Sequence, residues 1–129
     1  MLKRKRYTRF KQKPKRTRYS NSKLGYVYIL KLIISDREIC YKVGYSNNPY
    51  RRITEYAFKC EMLYVFESTQ SIAYKYEQMI HNNYSYYRYI PSIKFSGYTE
   101  CYSMCVGVKL LKDKLTLVFE YESWSLFVQ

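Results

Sequence analysis

The chain has few of the residues from which metal-thiolate sites and disulfide-rich folds are built. It contains one histidine and four cysteines, and no two cysteines form a C-x-x-C pair. A structural zinc site needs about four Cys or His ligands at characteristic spacings, so Cys101 and Cys105 beside one histidine are a poor template. We expect these two, with Cys40 and Cys60, to be free thiols; a zinc site or a disulfide is the less favoured alternative.

Long apolar runs are also missing. The longest nearly apolar stretch, residues 26–34, is interrupted by Lys31 and is shorter than the roughly 20 residues that a membrane span requires. No apolar segment follows the basic N-terminus closely enough to form a secretion signal. We therefore expect no membrane partner and a cytoplasmic location.

Acidic residues are scarce, and one end of the chain has none. Residues 1–24 contain eleven Lys or Arg, so they carry +11 of the net charge of +13. Such a segment has little to bury and stays disordered until it meets a polyanion. Nucleic acid is the expected partner, because each neutralised phosphate releases counterions, and a localisation or membrane-surface signal is the alternative. The predicted nucleic-acid contacts are Lys3, Arg4, Lys5, Arg6, Arg9, Lys11, Lys13, Lys15, Arg16 and Arg18 in this tail, and Arg51 in the domain.

The remaining residues, 25–129, suit a single domain. Apolar periodicity and turn residues predict strands at 24–34, 39–45 and 62–66, and helices at 49–58 and from 68–71 to about 83. The two segments around Lys112-Asp113-Lys114 are typical of a C-terminal β-hairpin, with Trp124 and Phe127 returning to the core. The expected fold is α/β of the α+β kind, with a three-stranded, mainly antiparallel sheet flanked by helices.

One spaced set of side chains carries reactive chemistry. Tyr28 lies on the first predicted strand, Lys42 on the second, Arg52 on the first helix and Glu77 on the next. These residues supply a phenol, an amine, a guanidinium and a carboxylate, which are the groups needed to hydrolyse a phosphodiester with one divalent metal. The pattern predicts a small nuclease. Because the chain has 18 tyrosines, core packing is the alternative for Tyr28.

The order of these motifs resembles a known family. A strand with Tyr26-Val27-Tyr28, a strand with Lys42-Val43-Gly44, a helix with Arg52 and a later helix with Glu77 are similar to the GIY-YIG nuclease superfamily. Residues 41–52, YKVGYSNNPYRR, resemble its phage-rich branch, in which K-[IV]-G is followed by N-P-x-x-R. Residues 97–102, GYTECY, resemble the G-x-T-E-W-F ending of that branch. The resemblance covers about residues 25–102.

The resemblance implies a metal-dependent endonuclease that uses Mg²⁺ or Mn²⁺ and acts on DNA in preference to RNA, in the host cytoplasm if phage-encoded. Glu77 would bind the metal, and Arg52 would hold the scissile phosphate. Tyr28 would accept a proton from the attacking water. Lys42 would assist either as a nearby cation that lowers the pKa of the phenol or as a partly neutral amine that takes its proton.

Three further residues have open roles. Tyr56 and His81 would orient water or phosphate, although packing is the alternative for His81. Glu100 belongs either to the pocket or to the structural framework. Two other function classes also remain open: a non-catalytic nucleic-acid-binding module, and a phage regulatory or counter-defence protein that binds a protein partner.

Overall fold

The structure, a computed structural model, describes residues 18–128, with side chains described to residue 123. The predicted contacts from Lys3 to Arg16 precede the described residues. The predicted return of Trp124 and Phe127 to the core concerns side chains beyond residue 123 and is also outside what the structure describes. Within it, no helix is long and apolar enough to cross a membrane.

In the described part of the chain the strands are β1 (Leu24–Ser35), β2 (Glu38–Ser46), β3 (Lys59–Thr69) and β4 (Cys101–Tyr102). These four strands form one antiparallel sheet in the order β3-β1-β2-β4. The sequence pattern predicts three strands in the sheet, one fewer than the four that the described residues form. β4 has only two residues, which is too few for an alternating pattern to mark a strand in the sequence.

Within residues 18–128, three α-helices accompany the sheet: α1 (Pro49–Ile53), α2 (Gln70–Asn83) and α3 (Val108–Val128), with short 3₁₀ helices at Ser85–Tyr87, Tyr98–Glu100 and Met104–Val106. Helix α1 begins as predicted, because the Asn48 side chain accepts the amide of Arg51 and Pro49 occupies the first turn. It ends five residues earlier than predicted. The amide and the hydroxyl of Thr54 both donate to the Arg51 carbonyl and close the helix there. Tyr56 consequently follows the helix.

The C-terminal β-hairpin was a wrong prediction, because this segment is the 21-residue helix α3. Leu111 and Leu115, one turn apart, are fully buried, and Val118 and Phe119 pack on the same side. The Lys112-Asp113-Lys114 sequence lies within the helix as one polar turn. The i, i+4 spacing of the buried leucines is helical, and the short apolar runs on either side were mistaken for strands.

β1 is buried on both faces. Val27 and Ile29 pack toward α2 and α3, whereas Tyr28, Leu30 and Leu32 face the opposite side of the sheet. Side chains alternate along a strand, so a polar group on that second face must find its partners within the fold.

The N-terminal segment before β1 is in contact with the domain. The first two amides of α2 donate to it, from Gln70 to the Lys23 carbonyl and from Ser71 to the Ser20 carbonyl, each at 2.9 Å. The first amides of a helix have no partner within the helix, so this segment supplies their acceptors. Residues 18–23, which the sequence assigns to the disordered tail, are thus packed against the fold.

Candidate active site

Tyr28 and Lys42 form the buried centre of the site. Tyr28 on β1 pairs with Gly44 on β2, and Lys42 lies two residues before that glycine on the same face. Both side chains are fully buried, and Lys42 Nζ donates to the Tyr28 hydroxyl over 3.1 Å. A Cβ at position 44 would lie 2.6 Å from Lys42 Nζ and closer still to the Tyr28 hydroxyl. The glycine of the second motif therefore makes room for this contact.

Glu100 is the second partner of Lys42. Its Oε1 lies 3.0 Å from Lys42 Nζ. Burial lowers the pKa of Lys42, but the neighbouring Tyr28 and Glu100 outweigh it, so the pKa lies above its ordinary value. The charged form of Lys42 is therefore favoured. Gly97, at φ +86°, turns the chain so closely over Lys42 that a Cβ would lie 2.6 Å from Lys42 Cε.

Arg52 and Tyr56 meet at Ser96. Arg52 Nη2 lies 3.5 Å from the Ser96 hydroxyl, and the Tyr56 hydroxyl donates to the Ser96 carbonyl over 3.4 Å. Within the described residues, Arg52 Nε is buried and has no hydrogen-bond partner. Arg52 Nη1 lies 3.5 Å from Glu55 Oε1, and the residue lines the cleft, where a guanidinium can meet a phosphate. Burial holds the pKa of Tyr56 above its ordinary value, and the nearby charges of Lys42 and Arg52 offset only part of this rise.

Helix α2 places a second set of hydrogen-bonded polar side chains beside the Tyr28–Lys42 pair. Glu77 and His81 are on its buried face with Ala73, as the i, i+4 spacing predicts. His81 Nε2 lies 2.8 Å from Glu77 Oε2, and His81 Nδ1 lies 2.6 Å from the hydroxyl of Tyr102 on β4. A proton on Nε2 lets the ring donate to Glu77 Oε2 and accept from the Tyr102 hydroxyl. Burial raises the pKa of Tyr102 to about 12, so its hydroxyl keeps the proton that it donates.

Glu77, His81 and Glu100 offer ligand atoms within 4.8 Å of one another. Two carboxylates suit Mg²⁺ or Mn²⁺, which prefer oxygen ligands. Both ring nitrogens of His81 already have partners, so its geometry fits a residue that orients Glu77 better than a ligand. Gln78 also donates to Glu77, over 2.8 Å. This donor set fits a hard divalent cation held by Glu77 and Glu100.

A cleft of about 530 Å³ opens over this site. Its walls include Glu77, Glu100 and three arginines, two of which, Arg18 and Arg51, were predicted nucleic-acid contacts. The carboxylates of Glu77 and Glu100 and the three guanidinium groups thus face the same space, which is the charge arrangement that a metal ion and a phosphate need together.

A family model of the T5orf172 domain matches residues 25–112. The chain belongs to this family. The T5orf172 domain is found in phage proteins and is related to GIY-YIG-like and HNH nuclease-type domains. No curated protein and no solved structure matches the chain.

The T5orf172 match contains both halves of the site, from Tyr28 to Tyr102, but not Arg18 or Tyr19 in the cleft wall. Sequence patterns assign no role to Tyr102 or Gln78. The sequence position of Tyr102 could have indicated a role, because this residue is the last of the segment 97–102 that resembles the G-x-T-E-W-F motif. Gln78 shows no such signal, since an amide on a helix is usually a surface residue.

Proposed function

We propose that the chain is a metal-dependent endonuclease of GIY-YIG type that hydrolyses phosphodiester bonds in nucleic acid, with DNA as the preferred substrate. The observation that supports this proposal is the position of Glu100. Its carboxylate pairs with Lys42 at 3.0 Å and also lies within 4.8 Å of the Glu77 carboxylate and the His81 ring. Glu100 therefore joins the Tyr28–Lys42 pair and the carboxylate cluster into one site.

Each side chain has a role that its surroundings support. Arg52, which lines the cleft, binds the scissile phosphate through its guanidinium and neutralises charge on it. Tyr28 takes the proton from the attacking water, a step for which water must reach its buried hydroxyl, and the positive charge of Lys42 at 3.1 Å offsets the negative charge that develops there. His81, held by Tyr102, fixes the orientation of Glu77.

The cation would be held by Glu77 and Glu100. It would supply a positive charge that polarises the phosphate and stabilises the charge developing on its oxygens. Because two carboxylates side by side repel each other, the same cation would also offset that repulsion in the cleft.

Nicking of supercoiled plasmid tests the proposal. The full chain is expected to nick DNA with Mg²⁺ or Mn²⁺ and not with EDTA. Glu77→Gln keeps the side-chain shape but removes the charge that the metal needs, so cleavage should fall by orders of magnitude while DNA binding persists. Glu61→Gln, at an exposed position of β3 outside the cleft, is the matched control and should cleave normally.

Two results would contradict the proposal. Full cleavage by the Glu77→Gln protein would remove the metal ligand on which it depends. DNA binding without any nicking by the wild-type protein, across both metals, would instead identify a non-catalytic nucleic-acid-binding module.

A further inference from the structure

Three tyrosines from separate parts of the chain form one aromatic cluster in the cleft wall. The rings of Tyr19 and Tyr74 are stacked, with centroids 4.0 Å apart and planes 10° apart. Tyr45 meets both edge-on, with centroids at 5.3 Å from Tyr19 and 5.9 Å from Tyr74. All three line the cleft, and none is fully buried. We refer to Tyr19, Tyr45 and Tyr74 as the tyrosine cluster.

The tyrosine cluster adjoins the carboxylate site. Tyr74 lies one helical turn before Glu77 and Gln78 on α2, so its side chain is a near neighbour of both. Glu77 is close enough to Tyr19 to contribute to the raised pKa of its phenol. An aromatic surface and a candidate metal ligand therefore share one wall of the same cleft.

Tyr19 is held in place by its own segment. The following residue, Ser20, accepts the Ser71 amide at 2.9 Å, and its own amide donates to the Gln70 side chain at 3.2 Å. These bonds attach the segment to the start of α2, next to Tyr74. A tyrosine is uncharged at neutral pH, so Tyr19 does not repel a polyanion.

The surrounding groups match the parts of a nucleotide. Arg18, Arg51 and Arg52 on the cleft wall suit phosphates, and the side-chain amides of Asn47, Gln70 and Gln78 can donate to and accept from base edges. Aromatic rings bind bases by stacking when the bases are not already stacked in a duplex. The rings of the tyrosine cluster are partly exposed in this open cleft, where a base can reach them.

We propose that the tyrosine cluster is a stacking site for an unpaired nucleobase of single-stranded nucleic acid, adjacent to the phosphate held in the cleft. The proposal rests on the proposed function for the identity of that phosphate. The stacking site adds the substrate class to the proposed function: a single strand, or a nucleotide displaced from a duplex, at the position of cleavage.

Fluorescence of 2-aminopurine tests this inference without cleavage. The full chain, in EDTA, is titrated into a short single-stranded oligonucleotide that carries one 2-aminopurine, as DNA and as RNA, and into the matching duplex. Stacking on tyrosine should quench the fluorophore in the single strand. Tyr74→Leu should abolish most of the quenching and weaken single-strand binding about tenfold, while duplex affinity stays within about twofold.

Two variants separate stacking from other effects. Tyr74→Phe keeps the ring and should quench like the wild type. Tyr86→Leu, at a tyrosine that is 89% exposed and outside the cleft, is the matched control and should also behave like the wild type. If Tyr74→Leu does not fold, Tyr19→Leu decides the question, because Tyr19 lies outside every helix and strand.

The outcomes distinguish this inference from the nuclease proposal. Wild-type quenching and affinity in a folded Tyr74→Leu or Tyr19→Leu protein would overturn the stacking site, even if the protein nicks DNA. Ring-dependent quenching by a protein that never nicks would uphold the stacking site and overturn the nuclease proposal. Quenching with only one of the two oligonucleotides identifies the sugar that the site accepts and supports the stacking site.

Discussion

Lys42 Nζ lies 3.1 Å from the Tyr28 hydroxyl, and both side chains are shielded from solvent. An ammonium in such a place is tolerated only when acceptors surround it, and here they are the phenol and the Glu100 carboxylate. The lysine thus places a fixed positive charge beside a tyrosine on the neighbouring strand. A positive charge at this distance offsets negative charge that develops on the tyrosine oxygen.

Substitutions at these two positions should show that the residues act as a unit. We expect Tyr28→Phe to lower single-turnover cleavage by about 10²–10⁴-fold, the range for loss of a general base. Lys42→Met should be comparably impaired, and Lys42→Arg should not restore activity, because the guanidinium fork does not fit a single buried phenol. The double variant should be no worse than the worse single one. Effects that multiply would assign Lys42 a separate role, such as binding a phosphate.

His81 and Tyr102 should act through the metal and not on the substrate. Tyr102→Phe removes the hydroxyl that holds the imidazole, and His81→Gln removes the ring that orients Glu77. We expect each to raise the Mg²⁺ concentration needed for half-maximal cleavage by about 10–100-fold, with activity recovering at high metal. The measurement is a metal titration of plasmid nicking. Absence of activity at every metal concentration would indicate a direct catalytic role instead.

Substitution of Gly44 should impair cleavage more than it impairs folding. Gly44→Ala places a methyl group against the Tyr28 hydroxyl and Lys42 Nζ, so one of them must move. We expect cleavage to fall at least tenfold in protein that is still folded, since an error of about 1 Å in position can cost about 10²-fold. Gly107→Ala is the control: its φ of +77° makes the substitution strained, but nothing lies within 4 Å of the new Cβ. Gly107→Ala should lower the melting temperature and leave the activity of the folded fraction unchanged.

Local patterns predicted the parts of the site that lie within one element. The i, i+4 row of Ala73, Glu77 and His81 and the start of α1 at Pro49 follow from helix periodicity and capping, and the structure confirms them. The hairpin β1–β2 follows from its apolar composition and turn. These features depend on residues that are close in sequence, so sequence alone contains the information.

Tertiary contacts account for what was missed. Glu100 approaches Lys42 because Gly97 reverses the chain and because β4 pairs with β2, and neither contact leaves a pattern in the local sequence. The packing of residues 18–23 depends on unpaired amides at the start of α2, more than 40 residues away. Short apolar segments near the C-terminus fit a strand or a helix, and only burial against the sheet selects α3.

The loop after α2 should loosen in acid through Glu38. Its carboxylate accepts from the Tyr89 hydroxyl at 2.7 Å and from Ser92, and these hydrogen bonds hold its pKa below the ordinary value of 4.5. A carboxylate with a lowered folded pKa contributes stability above its unfolded pKa and loses it as the pH falls through the folded pKa. Glu38→Gln should therefore melt lower than wild type at pH 7, and the difference should shrink below about pH 4.5. A difference in melting temperature between Glu38→Gln and wild type that stays the same down to pH 2 would contradict this role.

The basic tail should add nucleic-acid affinity without adding stability to the domain. Deletion of residues 1–17 removes nine Lys or Arg but keeps Arg18, Tyr19 and the bonds of Ser20 to α2. We expect affinity for duplex DNA to fall and the slope of log K against log salt to flatten by about 0.9 for each phosphate that the shortened chain no longer neutralises, with no change in melting temperature. Deletion of residues 1–23 should in addition lower the melting temperature, because the first amides of α2 lose their acceptors. An unchanged salt slope after the shorter deletion would mean that the tail binds something other than nucleic acid.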